Sequence, residues 1–227
     1  MTDPRLLFLI RHGRSDFESN DLVDVGRGPQ WDPPLSEQGR EQARLLARRL
    51  LLMKPRPVAL YCSVMRRARE TVAPYAEVSG APVTYHDDLA EAHVGDWENR
   101  SFEEILASDA SLLHAFRTEN AMWSEAPGAE PIDALRERVT GAIGEILERH
   151  TEGNVAVICH GGVINAYLAP LLGLADQVMF FLPENTSVNT LALDGPGLAV
   201  RFLNDVRHLT EPHLYDDPTQ GLPQDAS

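Results

Sequence analysis

The sequence predicts an α/β fold, a three-layer α/β/α sandwich with a mostly parallel central sheet. Continuous apolar runs at residues 6–10, 58–62 and 155–158 have the length and composition of strands that are buried on both faces. Segments with apolar residues at helical spacing follow these runs. Strands that alternate with helices in this way are typical of a parallel sheet with helices on both sides.

Local signals predict the remaining elements. Ser36 is a good N-cap for the first helix, which Pro55 and Pro57 end. A short strand is expected near Val83, and residues 188–203 resemble a hairpin with a Gly/Pro turn. Similar reasoning predicts four further helices, over residues 65–78, 101–116, 132–149 and 161–172.

The chain is expected to form one domain over residues 1–207. Residues 95–131 carry mixed loop and helix signals, and we interpret them as a subsidiary cap of this domain. The last twenty residues, 208–227, are polar, acidic and proline-bearing, so they are predicted to form a loose tail.

Composition restricts the function classes. The formal charge of −14 opposes nucleic-acid binding, because a phosphate backbone would meet a repelling field. No run approaches the roughly 18 apolar residues of a membrane helix, and the apolar stretch before Arg11 is too short for a signal peptide. We therefore expect a cytoplasmic protein without a membrane partner. Cys62 and Cys159 could form a single disulfide, but two buried free thiols are favoured, because they suit a reducing compartment.

Two of the eight histidines share a setting. His12 and His160 each follow a buried apolar strand and precede glycine. The carboxyl ends of parallel strands are where ligands bind in an open α/β sheet, and glycine lets backbone N–H groups approach an anion. A single strand-end histidine is more often structural. The repetition of the setting favours one shared site.

Arginines supply a phosphate-binding element. Arg11 adjoins His12, and Arg67 lies just beyond the second strand. A guanidinium offers a rigid fork of donors that suits phosphate oxygens. Because a local cationic pocket has to overcome the negative field of the whole chain, a small phosphorylated substrate is favoured over a polyanion.

Other hydrolytic chemistries do not fit the sequence. A cysteine phosphatase needs five residues between its cysteine and an arginine, and the required positions hold Ala68 and Asn165. A Gly-x-Ser-x-Gly elbow centred on Ser15 would need glycine where Phe17 stands. The histidines show no i, i+4 ligand pair, so we predict neither a metal nor another cofactor.

Five segments, taken in order, resemble the histidine phosphatase superfamily, also called the phosphoglycerate mutase-like family. They are residues 11–15 (Arg-His-Gly-Arg-Ser), 34–39 (Pro-Leu-Ser-Glu-Gln-Gly), 63–68 with Thr71, 89–91 with 95–98, and 160–161 (His-Gly). Each segment is a weak signal alone, but five in the family's order are a strong one. The resemblance implies a three-layer α/β fold and a covalent phosphohistidine intermediate on His12.

The resemblance also implies roles for the other motif residues. Arg11, Arg67 and His160 would bind the transferring phosphoryl group, and Glu91 would be the proton donor. Ser15 and Gly161, which complete two of the motifs, would contact the substrate. A neutral imidazole is a competent nucleophile, and neighbouring cations disfavour its protonation. Glu98 lies near Glu91 in the sequence, but a loop-surface carboxylate is its plainer interpretation.

Two departures from the family's pattern concern the substrate side of the site. Many members carry asparagine six residues after the nucleophile, where this chain has Glu18. An anionic side chain cannot donate to phosphate, so Glu18 is expected to point away or to meet a cationic part of the substrate, with Asn20 as a substitute amide. Residues 127–131 resemble the family's Gly-Gly-Glu stretch but lack one glycine and the serine that follows.

Three functions remain open on this fold. A mutase needs extra cations for a second phosphate, yet residues 91–130 contain only Arg100 and Arg117, so hydrolysis of a small phosphate monoester is favoured. A phosphoglycerate mutase-type phosphotransferase and a non-catalytic phospho-ligand-binding protein are the alternatives. An apolar edge strand near Leu198 would allow a homodimer.

Overall fold

A six-stranded sheet forms the centre of the protein. The computed structural model describes residues 4–100, 104–105, 107, 126–194 and 197–216. The strands of the central sheet are β1 (Arg5–Arg11), β4 (Pro57–Ser63), β5 (Val83–His86), β6 (Asn154–Cys159), β7 (Val188–Asp194) and β8 (Gly197–Asp205). A separate two-stranded ribbon is formed by β2 (Leu22–Asp24) and β3 (Pro29–Trp31).

The strand order in the sheet is β5-β4-β6-β1-β7-β8. The four strands from β5 to β1 are mutually parallel, whereas β7 and β8 extend the sheet as an antiparallel hairpin. The prediction of a mostly parallel sheet is therefore confirmed, and so is the hairpin over residues 188–203. The ribbon of β2 and β3 was missed, because the loop that contains it has no alternating apolar pattern.

Helices cover both faces of the sheet. They are α1 (Glu37–Leu52), α2 (Arg66–Ser79), α3 (Ile132–Arg149), α4 (Gly161–Leu171) and α5 (Arg207–Thr210), with short 3₁₀ turns at Asp87–Leu89, Gly95–Trp97 and Pro212–Tyr215. Leu7 and Leu9 of β1 pack against one helical layer with α3 and α4, whereas Phe8 and Ile10 pack against the other with α1 and α2. Both faces of β1 are thus buried, which explains its continuous apolar run.

The predicted boundary at residue 207 is wrong. His208 is fully buried, and α5 together with the turn Pro212–Tyr215 packs on α1. Ion pairs join Arg48 to Asp216 and Arg49 to Asp205. The described part of the predicted tail, up to Asp216, therefore belongs to the folded domain, and residues 217–227 lie outside the described residues.

Most of the predicted cap also lies outside the described residues. Of the helix predicted over residues 101–116, only 104–105 and 107 are described. Trp97, Ile105 and Ala126 form a small buried cluster in this region. Cys62 and Cys159 are buried free thiols, as predicted. No helix within the described ranges is long and apolar enough to cross a membrane.

Candidate active site

The candidate site lies at the carboxyl ends of three adjacent strands. His12 follows β1, His160 follows β6, and Ser63 ends β4. A cavity of about 230 Å³ opens at this edge of the sheet. Its lining residues are Arg11, His12, Ser15, Phe17, Gln30, Trp31, Pro33, Met65, Arg67, Glu91, Ala92, Val94, Glu98 and Asn185.

The imidazole of His12 is buried and has a defined tautomer. Its Nδ1 lies 2.7 Å from the carbonyl oxygen of Gly13. Because a carbonyl oxygen only accepts, Nδ1 must carry the proton, which leaves the lone pair on Nε2. Burial is the main cause that lowers the pKa of His12 well below its usual value, and the nearby Arg67 and Arg11 lower it further. The ring is therefore neutral at physiological pH.

The backbone around His12 is fixed from several sides. The His12 N–H donates to the Cys159 carbonyl at 3.0 Å, and the Gly13 N–H donates to Thr71 Oγ1 at 2.9 Å. The His12 carbonyl accepts from Asn185 Nδ2 at 3.1 Å and from the Thr186 N–H at 3.2 Å. Three distant parts of the chain thus hold the segment that carries the imidazole.

His160 lies next to His12 and is not itself among the residues that line the cavity. Its ring is fully buried, and the centroids of the two imidazoles are 5.0 Å apart. His160 Nε2 is 2.7 Å from Ser63 Oγ, whereas its Nδ1 has no hydrogen-bond partner among the described residues. Burial first, and then Arg67, lowers the pKa of His160 well below its usual value.

Two guanidinium groups face the same region, that of the buried Arg67 and that of the partly buried Arg11. Arg11 donates through Nη1 to the Pro183 carbonyl, and its buried Nε has no partner within the described part of the chain. Arg67 donates to the Trp31 carbonyl at 3.0 Å. Burial lowers the pKa of both arginines, while Glu91 acts in the opposite direction. An anion in the cavity would give both cations a counter-charge.

Asp32 is a contributor that the sequence did not reveal. Its carboxylate accepts from the Arg66 N–H at 2.8 and 3.0 Å and so caps the N-terminus of α2. Asp32 Oδ1 also lies 3.5 Å from Arg67 Nη1. Of the three arginines at positions 66, 67 and 69 of α2, only Arg67 is buried. Asp32 therefore both starts the helix and orients its one buried guanidinium.

Glu91 and Glu98 occupy different positions at the cavity. Glu91 Oε2 accepts from the Gly162 N–H at 3.1 Å, at the start of α4 beside His160. Glu98 instead accepts from the Trp31 N–H at 2.8 Å and the Val94 N–H at 2.9 Å, so it connects two loops. Glu91 is thus the carboxylate that is bonded to the start of the helix that follows His160.

A buried ion pair supports the Glu91 segment. Arg138 of α3 meets both carboxylate oxygens of Glu130 at 2.6 and 2.8 Å. The same guanidinium donates to the carbonyls of Asp88, Ala90 and Glu91. Glu130 is the acidic residue of the stretch 127–131 that resembles the family's Gly-Gly-Glu segment. Through Arg138, Glu130 therefore helps to hold the loop that carries Glu91, the candidate acid.

The remaining predicted residues differ in how they meet the cavity. Ser15 lines it and is buried, whereas Gly161 lies against the side chain of Arg11 and is not on the lining. Glu18 is exposed and does not line the cavity, as expected. The expectation for Asn20 is wrong, because it is exposed as well and a different amide, that of Asn185, lines the cavity. No group of three or more potential metal ligands occurs within the described residues.

Comparisons with known proteins identify the family. The histidine phosphatase superfamily (branch 1) matches residues 7–206. The chain is 31% identical over 177 residues to a glucosyl-3-phosphoglycerate phosphatase of Mycolicibacterium vanbaalenii, with 75% of each protein covered. It is 28% identical over 205 residues to a metal-independent phosphoserine phosphatase of Arabidopsis thaliana, covering 90% of this chain and 83% of the relative.

A solved structure gives the same result for the fold. A mycobacterial glucosyl-3-phosphoglycerate phosphatase in complex with VO3 superimposes with a TM-score of 0.74 at 29% identity. The alignment covers 88% of this chain and 98% of that structure. The chain belongs to the histidine phosphatase superfamily, branch 1.

Proposed function

We propose that this protein is a metal-independent phosphatase that hydrolyses a small phosphate monoester through a phosphohistidine on His12. The observation that carries the proposal is the hydrogen bond from Nδ1 to the Gly13 carbonyl. It leaves the Nε2 lone pair of a neutral imidazole available beside Arg11 and Arg67. Such an imidazole can replace one difficult hydrolysis by two easier displacements.

In the first step, His12 Nε2 attacks phosphorus while the bond from phosphorus to the leaving oxygen breaks. Glu91, as a carboxylic acid, gives its proton to that oxygen and the alcohol departs. Arg11 and Arg67 balance the charge on the phosphoryl oxygens, where fixed donors contribute most to the rate. In the tautomer in which Ser63 donates to Nε2 of His160, the Nδ1–H of His160 is a further donor for these oxygens.

In the second step, Glu91 acts as a carboxylate. It removes a proton from water as the water oxygen attacks phosphorus, and the bond from phosphorus to Nε2 breaks. Inorganic phosphate leaves, the imidazole is neutral again, and Glu91 is again protonated. Glu91 thus regains its proton and His12 Nε2 regains its lone pair, so the cycle needs no redox partner or metal.

The lining of the cavity favours a compact leaving group with an apolar face. Phe17 and Trp31 form an aromatic pair with centroids 5.6 Å apart, and Met65 and Val94 also contribute to the lining. Among the described lining residues, the cations are Arg11 and Arg67, which both serve the phosphoryl group. This supports hydrolysis over a mutase reaction, which needs cations for a second phosphate.

We further propose that the protein acts in the cytoplasm and forms a homodimer through β8. Support for a reducing compartment comes from the two buried thiols that are not joined. Support for the dimer comes from the position of β8 at the edge of the sheet, where its outer backbone groups can pair with a second copy. Sedimentation velocity at micromolar concentration should give twice the mass of one chain, and a single-chain mass would refute the dimer.

The function is tested with 4-nitrophenyl phosphate, EDTA and vanadate. We expect turnover that EDTA leaves unchanged and that vanadate, which mimics a five-coordinate phosphoryl group, inhibits. The His12→Ala variant should be inactive, whereas His213→Ala, at an exposed histidine, should match the wild type. Full activity of His12→Ala would eliminate the mechanism.

A matched pair of variants tests the proton donor. Glu91→Gln should lower kcat by about 100-fold or more, because an amide can neither give nor take the proton. Glu98→Gln should keep most of the activity, because its single amide oxygen still accepts from Trp31 or Val94 and only one of the two connecting hydrogen bonds is lost. The opposite ranking of the two variants would assign the acid role to Glu98.

A further inference from the structure

The segment of residues 183–187 holds the chain on both sides of the nucleophile. The Pro183 carbonyl accepts from the Arg11 side chain, and the Ser187 carbonyl accepts from the Arg11 N–H at 3.2 Å. Asn185 and Thr186 donate to the carbonyl of His12. We call residues 183–187 the clamp segment, because it contacts both Arg11 and His12.

Thr186 has a backbone conformation that its side chain disfavours. Its φ is 58°, in the left-handed region, where a β-branched residue is a genuine outlier. Such strain persists only when the surrounding contacts enforce it. Thr186 is fully buried, so the contacts that enforce its conformation must come from neighbouring protein groups.

His208 supplies one of these contacts from the C-terminal part of the chain. Its Nδ1 faces Arg49 Nη1 at 3.4 Å, and its Nε2 lies 3.0 Å from Thr186 Oγ1. A guanidinium only donates, so Nδ1 accepts and Nε2 must carry the proton that is donated to Thr186. The Thr186 hydroxyl can then give its own proton to the Asn185 carbonyl at 2.7 Å.

The far end of this chain of hydrogen bonds is anchored. Arg49 donates to the Asp205 carboxylate at 2.8 Å and to the Asp205 carbonyl at 3.1 Å. Burial and the neighbouring Arg49 lower the pKa of His208 to about 4, so the ring is neutral near pH 7 and can accept from Arg49. The donors therefore run in one direction, from Arg49 through His208 and Thr186 to Asn185.

We propose that His208 and Thr186 are positioning residues for the nucleophile, acting through the clamp segment on the backbone of His12. The proposal rests on the proposed function of His12. Neither residue lines the cavity, whereas Asn185, which they hold, does. A displacement of about 1 Å at a reacting group can cost about 100-fold in rate, so loss of this support should be visible in turnover.

A double-mutant cycle tests the proposal. Thr186→Val keeps the branched shape and removes the hydroxyl, and His208→Leu removes both ring nitrogens. Each change should lower kcat/KM for 4-nitrophenyl phosphate by about 10- to 100-fold. The double variant should lose little more than either single one, because both residues act through one hydrogen bond. Thr210→Val and His213→Leu, at exposed positions, are the matched controls.

Milder variants separate positioning from loss of folding. Thr186→Ser keeps a hydroxyl, and His208→Gln keeps an N–H donor in its amide. Thr186→Ser should therefore be much more active than Thr186→Val, and His208→Gln much more active than His208→Leu. The activity of each variant is divided by its folded fraction, which is measured by circular dichroism. A merely structural role would lower Tm while the folded fraction keeps wild-type kcat/KM.

Imidazole ¹⁵N spectra of His12, assigned with a His12→Gln variant, give a readout that does not depend on turnover. The His12 resonances should move in Thr186→Val, although the two side chains share no described hydrogen bond. Wild-type kcat/KM in the folded variants, additive losses, or unmoved His12 resonances would each overturn the positioning role. An inactive wild-type protein would instead overturn the phosphatase function, and the spectra alone would then decide the positioning.

Discussion

The buried ion pair between Arg138 and Glu130 allows a quantitative prediction. Substituting Arg138→Met keeps an unbranched apolar stem but removes all five hydrogen bonds that the guanidinium makes in the structure. The side chains of the pair are only 10% and 7% exposed, so Glu130 would remain as a buried charge without its partner. Breaking such a pair costs about 3–5 kcal/mol of unfolding free energy.

Urea unfolding measures this cost, and α3 contains its own control. Arg149 pairs with Glu145 on the same helix, but the two side chains are 66% and 63% exposed. Arg149→Met should change the unfolding free energy by less than about 1 kcal/mol. Activity of the folded Arg138→Met variant should also fall, because the guanidinium holds the carbonyl of Glu91. Equal losses of stability in the two variants would refute the reasoning.

Two further predictions concern stability. The pKa of His208 is about 4 in the folded protein against 6.5 for an ordinary histidine, so the unfolded chain binds its proton first as the pH falls. Unfolding free energy should therefore decrease by about 3 kcal/mol on this account between pH 6.5 and pH 4, and urea titrations should show a smaller decrease in His208→Gln. A Cβ at Gly39 would lie 2.1 Å from the Arg14 carbonyl oxygen, whereas one at Gly141 meets nothing within 4 Å. Gly39→Ala should cost about 3 kcal/mol by crowding, and Gly141→Ala should stabilise α3 by about 0.5–1 kcal/mol; a neutral Gly39→Ala would contradict the close approach.

The sequence predicted the parts of the site that depend on strand ends. β1 and β6 are buried on both faces, so their apolar runs were clear, and His12 and His160 follow from where those runs stop. The parallel pairing of the two strands then brings the histidines to one edge. The apolar runs, combined with the rule that parallel strands end at the same edge of a sheet, were sufficient to predict that His12 and His160 share one site.

The supporting residues were missed because their contacts span long sequence separations. Asn185 reaches the His12 carbonyl across 173 positions, and Arg138 reaches the Glu91 carbonyl across 47. Neither residue differs locally from an ordinary loop or helix residue. The segment around His208 was interpreted as a loose tail because a four-residue helix has no periodicity and its composition is polar.

The central claim is that His12 carries the phosphoryl group during turnover. The direct measurement is rapid acid-free quenching of enzyme mixed with a ³²P-labelled phosphate ester, followed by mapping of the label. We predict a phosphate that is labile in acid and stable in alkali, attached to His12 and absent from His12→Gln. Turnover without any label on His12, or label on another residue, would contradict the account.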